Sequence, residues 1–191
     1  MADGEEPKFK QPVYLICGTP GSGKTWISRQ MARKAIYVPH DLHNDDQVEV
    51  ILDKLKTADR PIITESPFME KVIRARLRDA GVKVNPYVVV ESPLTVKKRY
   101  EAREGKPIPK MHLTRSRSII SRAREWQCPY GGSSELLEVV NKDIPELTEH
   151  QKPSDPLPPT REQWEAEQEA LKKNKNWKAT KVEEIFNRKK R

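Results

Sequence analysis

Residues 18–25 read GTPGSGKT, with Gly18 and Gly23 five positions apart and followed at once by Lys24 and Thr25. Glycines at this spacing let a backbone wrap closely around an anion, so that its N–H groups point inward. The pattern is that of a phosphate-binding loop. Gly18, Thr19, Pro20, Gly21, Ser22, Gly23, Lys24 and Thr25 are therefore the expected nucleoside-triphosphate cradle. Lys24 is expected to reach the β- and γ-phosphates, and the Thr25 hydroxyl to ligate Mg²⁺. An apolar run, Val13 to Cys17, leads into the loop, and a helix-like pattern from Trp26 to Ala35 leads out, as the motif requires.

A phosphate cradle does not define a reaction. The chain carries no NKxD motif of a nucleotide switch, and no apolar run ending in the Asp-Glu pair of a hydrolytic motor. It does place single acids after two further strand-like runs, Asp41 after IYVP and Glu65 after PIIT. Ligands gather at the carboxyl ends of parallel strands, so both acids are expected to face the nucleotide. A carboxylate there can orient a hydroxyl nucleophile and take its proton, which makes Asp41 the expected general base. Glu65 is expected to hold the metal through water or to fix the acceptor. Arg99 and Arg103, four apart, share one helix face and precede a Gly-Lys-Pro-x-Pro loop and a second basic helix. That arrangement suits a lid whose guanidinium forks meet the charge on a migrating phosphoryl group.

The elements that must position these residues alternate strand and helix, predicting an α/β domain with a mostly parallel sheet. Strands are expected over 13–17, 35–38, 61–64 and 87–90, with a final one over 136–140. Helices are expected after the loop, after an Asp45 or Asp46 cap, from Pro67 with Phe68, Met69, Val72, Ile73 and Leu77 as its buried stripe, over 94–103 and over 114–126. Gly81 should end the third, and 128–132 should be a turn. KPSDPLPPT (152–160) reads as a linker, and Thr160 with Gln163 as a capping box for a helix over 161–173.

Composition bounds the rest. Of 191 residues, 34% are charged, and the net charge is +8. Residues 93–126 hold ten Lys or Arg against three Glu, a basic block inside the folded region that favours a polyanion partner: a nucleotide, a nucleic acid or both. No apolar run approaches the roughly 18 residues of a membrane span, and MADGEEPKFKQP is unlike a secretory signal. A cytoplasmic location is expected. Cys17 and Cys128, the only cysteines, make neither a disulfide framework nor a zinc site, and Cys17 reads as a core residue.

Taken together, GTPGSGKT, IYVPHD, IITES, ESPLTVKKRYEAREGKPIP and the basic helix that follows resemble the kinase domain of polynucleotide kinases and their small phage relatives, over residues 12–126. The resemblance implies a P-loop kinase-type parallel sheet flanked by helices over 12–142, with a lid at about 94–126. A flexible 1–11 would precede it, and a helical or irregular tail, a proline-rich linker and basic helix over 143–191, would follow. It implies ATP and Mg²⁺ as cofactors, Asp41 as base, Glu65 at the acceptor, and Lys24, Arg99 and Arg103 at the phosphoryl group. Polynucleotide kinases carry an arginine three residues past the catalytic acid, which grips the acceptor's phosphate. This chain has Asn44 there, with His40 and His43 nearby. His40, Asn44, Arg115 and Arg122 are the remaining expected substrate contacts. A group of phage kinases with this architecture phosphorylates 5-hydroxymethyluracil within DNA, and the chain is similar to these as well. The implied activity is γ-phosphoryl transfer to that hydroxymethyl group or to a polynucleotide 5′-hydroxyl. The alternatives are a kinase for a nucleoside or nucleoside monophosphate, and a non-catalytic nucleic-acid-binding protein that responds to ATP.

Overall fold

Val13–Gly18 forms β1, and all six of its residues are buried. The computed structural model of the chain describes residues 8–40, 44–67 and 71–147, all within one compact unit. β1 lies at the centre of a five-stranded sheet in the order β2-β3-β1-β4-β5. The other strands are β2 (Ile36–Val38), β3 (Ile62–Pro67), β4 (Val84–Val89) and β5 (Tyr130–Gly131). Every pairing is parallel. A parallel sheet is covered on both faces, which explains why β1 is buried at every position rather than alternating. Val13, Leu15 and Cys17 enter one core cluster and Tyr14 and Ile16 the other.

The helices are α1 (Lys24–Gln30), α2 (Asn44–Leu55), α3 (Lys71–Asp79), α4 (Pro93–Glu104), α5 (Lys110–Glu125) and α6 (Ser133–Asp143). Val48, Ile51 and Leu55 of α2, Ile73 and Leu77 of α3, and Ile119 and Ala123 of α5 fill the first cluster. Ile27 of α1 and Leu136 and Val140 of α6 fill the second. Burying each Val, Leu or Ile among them is worth about 1.5–3 kcal/mol. Tyr14 and Tyr87 stack at 6.1 Å. Tyr14 donates to the Asp143 carbonyl at 2.9 Å and Tyr87 to the Asp143 carboxylate, so the end of α6 is fastened to the sheet. Cys17 and Cys128 are both buried free thiols. Burial, with Cys128 nearby, pushes the Cys17 thiol up to about 12, which makes it an inert core group.

Several expectations change. Residues 136–140 are helix, not strand. They belong to α6, whose buried Ser133, Leu136 and Val140 follow helical spacing, and the last strand lies earlier, at Tyr130–Gly131, inside the expected turn. Strand β3 runs on through Glu65 to Pro67, so Glu65 sits within the strand, opposite Ile16, and Pro67 ends a strand instead of starting a helix. Asp45 and Asp46 lie inside α2, which starts at Asn44. Val72 is exposed while Ile73 and Leu77 are buried. α1 stops at Gln30, and α5 starts at Lys110, a turn before Thr114. Phe68, Met69 and everything expected past residue 147 lie outside the described residues.

Pro86 falls within β4, and its position is permitted by β5. Val88 and Val90 donate to Pro129 and Gly131, so by alternation the missing N–H of Pro86 faces the same side. The two-residue β5 pairs only with Val88 and Val89 and does not reach it. α4 is set by its own ends: the Ser92 side chain accepts from the Thr95 N–H, Pro93 opens the first turn, and Gly105 at φ 65 closes the last.

Candidate active site

The loop between β1 and α1 is held from two sides. Gly21 has φ 85 and Gly23 φ 104, a left-handed backbone that suits glycine. A Cβ on Gly21 would lie 2.9 Å from the Val96 carbonyl of α4, and one on Gly23 would lie 3.0 Å from Ser133 at the start of α6. The cradle is therefore wedged between the lid helix and α6, with no room for a side chain at Gly21 or Gly23. Ser22 Oγ is fully buried and has no hydrogen-bond partner. A buried hydroxyl left unpaired costs free energy, and a phosphate oxygen in the cradle would satisfy it. The loop residues thus fit a polyphosphate.

Lys24 Nζ donates to the Thr19 carbonyl at 3.1 Å, folded back over its own loop. Burial lowers its pKa, the Glu65 carboxylate and Cys17 oppose the shift, and the Arg103 charge adds to it. Thr25 Oγ1 donates to Glu65 Oε2 at 2.8 Å, and Tyr37 OH to Glu65 Oε1 at 2.7 Å. Both oxygens of a 5%-exposed carboxylate are thereby fixed beside the first turn of α1. A hydroxyl paired with a carboxylate at a phosphate loop could hold a divalent cation, and these oxygens are of the hard type Mg²⁺ prefers.

Gln47 is fully buried on α2. Its amide nitrogen donates to Thr64 Oγ1 at 2.7 Å and to the Glu65 carbonyl at 2.9 Å, and the Thr64 hydroxyl donates on to the Val38 carbonyl. Its amide oxygen faces His40 Nδ1 at 2.8 Å, so Nδ1 carries the proton and Nε2 is left for another partner. Gln47 thus ties α2, the end of β2 and the Glu65 backbone together. Gln47→Ala is expected to lower stability by about 2 kcal/mol, because it strands buried polar groups, and urea denaturation measures this.

Of the lid arginines, Arg99 reaches the loop. Arg99 Nη1 lies 3.5 Å from the Ser22 carbonyl and 3.3 Å from Glu91 Oε1. The same Glu91 oxygen accepts from Ser133 Oγ at 2.9 Å and from Ser133 N at 3.2 Å. Burial alone would raise the Glu91 pKa, but the Ser133 hydrogen bonds and Arg99 hold it below the usual carboxylate range. Acid must reach that lowered value before the Arg99–Glu91–Ser133 clasp is lost. Arg103 donates to Glu104 at 2.9 Å and stands 5.9 Å from the Tyr100 ring, and Lys24 feels its charge. From α5, His112 meets the Tyr100 ring edge-on at 5.7 Å. Burial, then Arg115, then Lys24 lower its pKa.

Lys24, Thr25, Glu65 and Arg99 are therefore gathered at the loop, Arg103 pairs with Glu104 one turn further along α4, and Arg115 stands near His112. Arg122 lies in the last turn of α5, about 15 Å along the helix axis from His112, and is not brought to the loop by any described contact. His40 is present but engaged with Gln47. The Asn44 side chain, Asp41 and His43 lie outside the described residues. Glu91, Ser133, Tyr37 and Gln47 are additions that sequence spacing did not signal.

Among solved structures, the chain is similar to a sugar kinase from Janibacter sp. HTCC2649, with TM-score 0.52 and 19% identity over 70% of this chain and 95% of that one. The chain shares the fold of that kinase, a five-stranded parallel sheet flanked by helices. It is also similar to the tunicamycin resistance protein of Deinococcus radiodurans, with TM-score 0.52 and 14% identity over 71% and 94%. A shikimate kinase from Acinetobacter baumannii aligns at TM-score 0.47 and 13% identity over 71% and 93%. No protein-family model and no curated protein matches the chain. No helix among the described residues is long and apolar enough to cross a membrane.

Proposed function

We propose that the protein is an ATP-dependent kinase that transfers the γ-phosphoryl group to a hydroxyl on DNA, either the hydroxymethyl group of 5-hydroxymethyluracil or a polynucleotide 5′-hydroxyl. The contact of Arg99 with the phosphate loop, with the Arg103 charge felt at Lys24 from one turn further along α4, carries this reading, since charge develops there as a phosphoryl group leaves. The basic block of 93–126 supports a polyanionic acceptor. When bound, ATP supplies the phosphoryl group and Mg²⁺ neutralises the charge on its β- and γ-oxygens. The loop N–H groups and Lys24 orient the phosphates, and Thr25 with Glu65 would hold the metal. Arg99 and Arg103 stabilise the equatorial oxygens. Asp41, placed by its sequence position after β2, takes the proton of the acceptor hydroxyl. The acceptor O–P bond forms as the bridging P–O bond breaks, and ADP leaves.

Incubation with γ-labelled ATP and a panel of 5′-hydroxyl oligonucleotides, 5-hydroxymethyluracil DNA, nucleosides, nucleoside monophosphates and sugars tests the reading. Label is expected in DNA, in a reaction that weakens steeply with salt. Label confined to small molecules, in a reaction little affected by salt, would replace it with the small-molecule reading. The sugar kinase of similar fold makes that reading the second choice.

A further inference from the structure

The outer face of α5 is a ladder of polar groups. Lys110, Thr114, Arg117, Ser121 and Arg124 are all exposed, and their spacing of four, three, four and three residues keeps them on one face. That face lies opposite the buried Ser116, Ile119 and Ala123. The rungs rise about 5 Å apiece, and the 16-residue helix is about 24 Å long. Neither Lys110 nor Arg117 has an ion-pair partner among the described residues. A solvated helix face normally interleaves acids with its bases, yet Glu125 is the only acid on this helix.

Two further observations give the ladder a direction and an end. Near its start, His112 on the inner side of α5 meets the Tyr100 ring at 5.7 Å, and Tyr100 lies against Gly21 of the phosphate loop, so the ladder begins beside that loop and leads away from it. At its far end Arg124 Nε donates to the Tyr130 hydroxyl at 3.3 Å, and Tyr130 is 41% exposed. The ladder therefore finishes on an accessible aromatic ring. Cations tracking a backbone, with an aromatic ring on which a base can stack, are the two components of single-strand recognition. An anionic membrane suits this face poorly. Interfacial helices bury an apolar face in lipid, and here that face is already covered by the protein core.

We propose that the Lys110–Arg117–Arg124 face of α5, ending at Tyr130, binds the phosphate backbone of a single-stranded polynucleotide and stacks one of its bases, holding the strand that leads away from the acceptor hydroxyl. The proposal deepens the polynucleotide reading above and rests on it for the strand's direction. The surface itself can be tested without catalysis. The probe is a fluorescent oligothymidylate of about 20 nucleotides with a 5′-phosphate, which offers no acceptor, followed by anisotropy over a salt series.

Wild-type protein is expected to bind it. K110A/R117A is expected to lose about tenfold in affinity and to flatten the log-affinity against log-salt slope by about 1.4, since each of the two single-strand phosphate contacts contributes about 0.7. Tyr130→Ala is expected to lose about tenfold with the slope unchanged, because stacking is not ionic. Arg78→Ala, an exposed cation on α3, should do neither, and circular dichroism should be the same for all. An Arg78→Ala effect as large as that of K110A/R117A, no wild-type binding at low salt, or equal loss of binding to duplex DNA or anionic vesicles would each overturn the proposal. If wild type labels DNA while K110A/R117A keeps full affinity and slope, the surface fails and the kinase reading stands. If wild type labels only small molecules but binds the probe through these residues, the surface stands and the DNA acceptor falls.

Discussion

Lys24→Ala is expected to lower phosphoryl transfer by about 10³-fold or more, the scale of losing a preorganised charge at the transition state. The residue is the cation inside the cradle, one peptide beyond Gly23, with its ammonium resting on the Thr19 carbonyl. Burial has already lowered its pKa, so in the free protein this charge is partly desolvated and ready for a stronger partner than a carbonyl. A bound polyphosphate would raise the pKa again. Nucleotide binding should therefore take up a proton, and ATP affinity should fall as pH rises between the free and bound values, below and toward the ordinary lysine range. Titrating a fluorescent ATP analogue between pH 7.5 and about 10 measures this, and Lys24→Ala should abolish the dependence.

The same substitution removes a buried charge, so thermal stability should stay level or rise. A fall in activity accompanied by a lower melting temperature would point to a damaged fold and remove the argument for a phosphate ligand.

What the sequence conveyed about this site depended on how local each signal was. GTPGSGKT is contiguous, and its glycines declare the backbone geometry they serve, so β1, the loop and the start of α1 were legible. Arg99 and Arg103 were legible because a helix face is read from a spacing of four. α6 was not: Leu136, Leu137, Val139 and Val140 form a short apolar run with branched valines, which periodicity alone cannot separate from a strand. The deciding features were Ser133 and Leu136 continuing the helical register to Ile144, and Glu135 accepting from the Gly132 N–H.

Glu65 was recognised but misplaced, because strand β3 continues past it through Ser66 to Pro67, a residue type depleted in strands. Glu91 and Gln47 were invisible for a different reason. Glu91 acts by joining Arg99 to Ser133, 42 residues further along, and Gln47 by joining His40, Thr64 and Glu65. No spacing in a single sequence encodes partners that only the sheet order brings together.

Asp41→Asn is expected to lower turnover by about 10²–10⁴-fold, the range for removing a general base, while ATP affinity stays within about twofold. The asparagine keeps the size and one hydrogen-bonding oxygen of the aspartate but cannot accept a proton as the nucleophile attacks. Position 41 follows His40, which Gln47 holds against β3, and it follows the second strand of a parallel sheet, where ligands gather. Equilibrium binding of ATP and single-turnover transfer, measured on the same preparation, separate the possibilities. Lost transfer with retained ATP binding is the signature of the base. Loss of both would place Asp41 at the nucleotide or metal and leave the proton without an acceptor. Retention of both would favour a protein that uses ATP as a conformational ligand. A second arm sharpens the result: because the base acts on the acceptor's hydroxyl and not on the phosphates, the slow ATP hydrolysis measured without acceptor should fall far less than transfer to DNA.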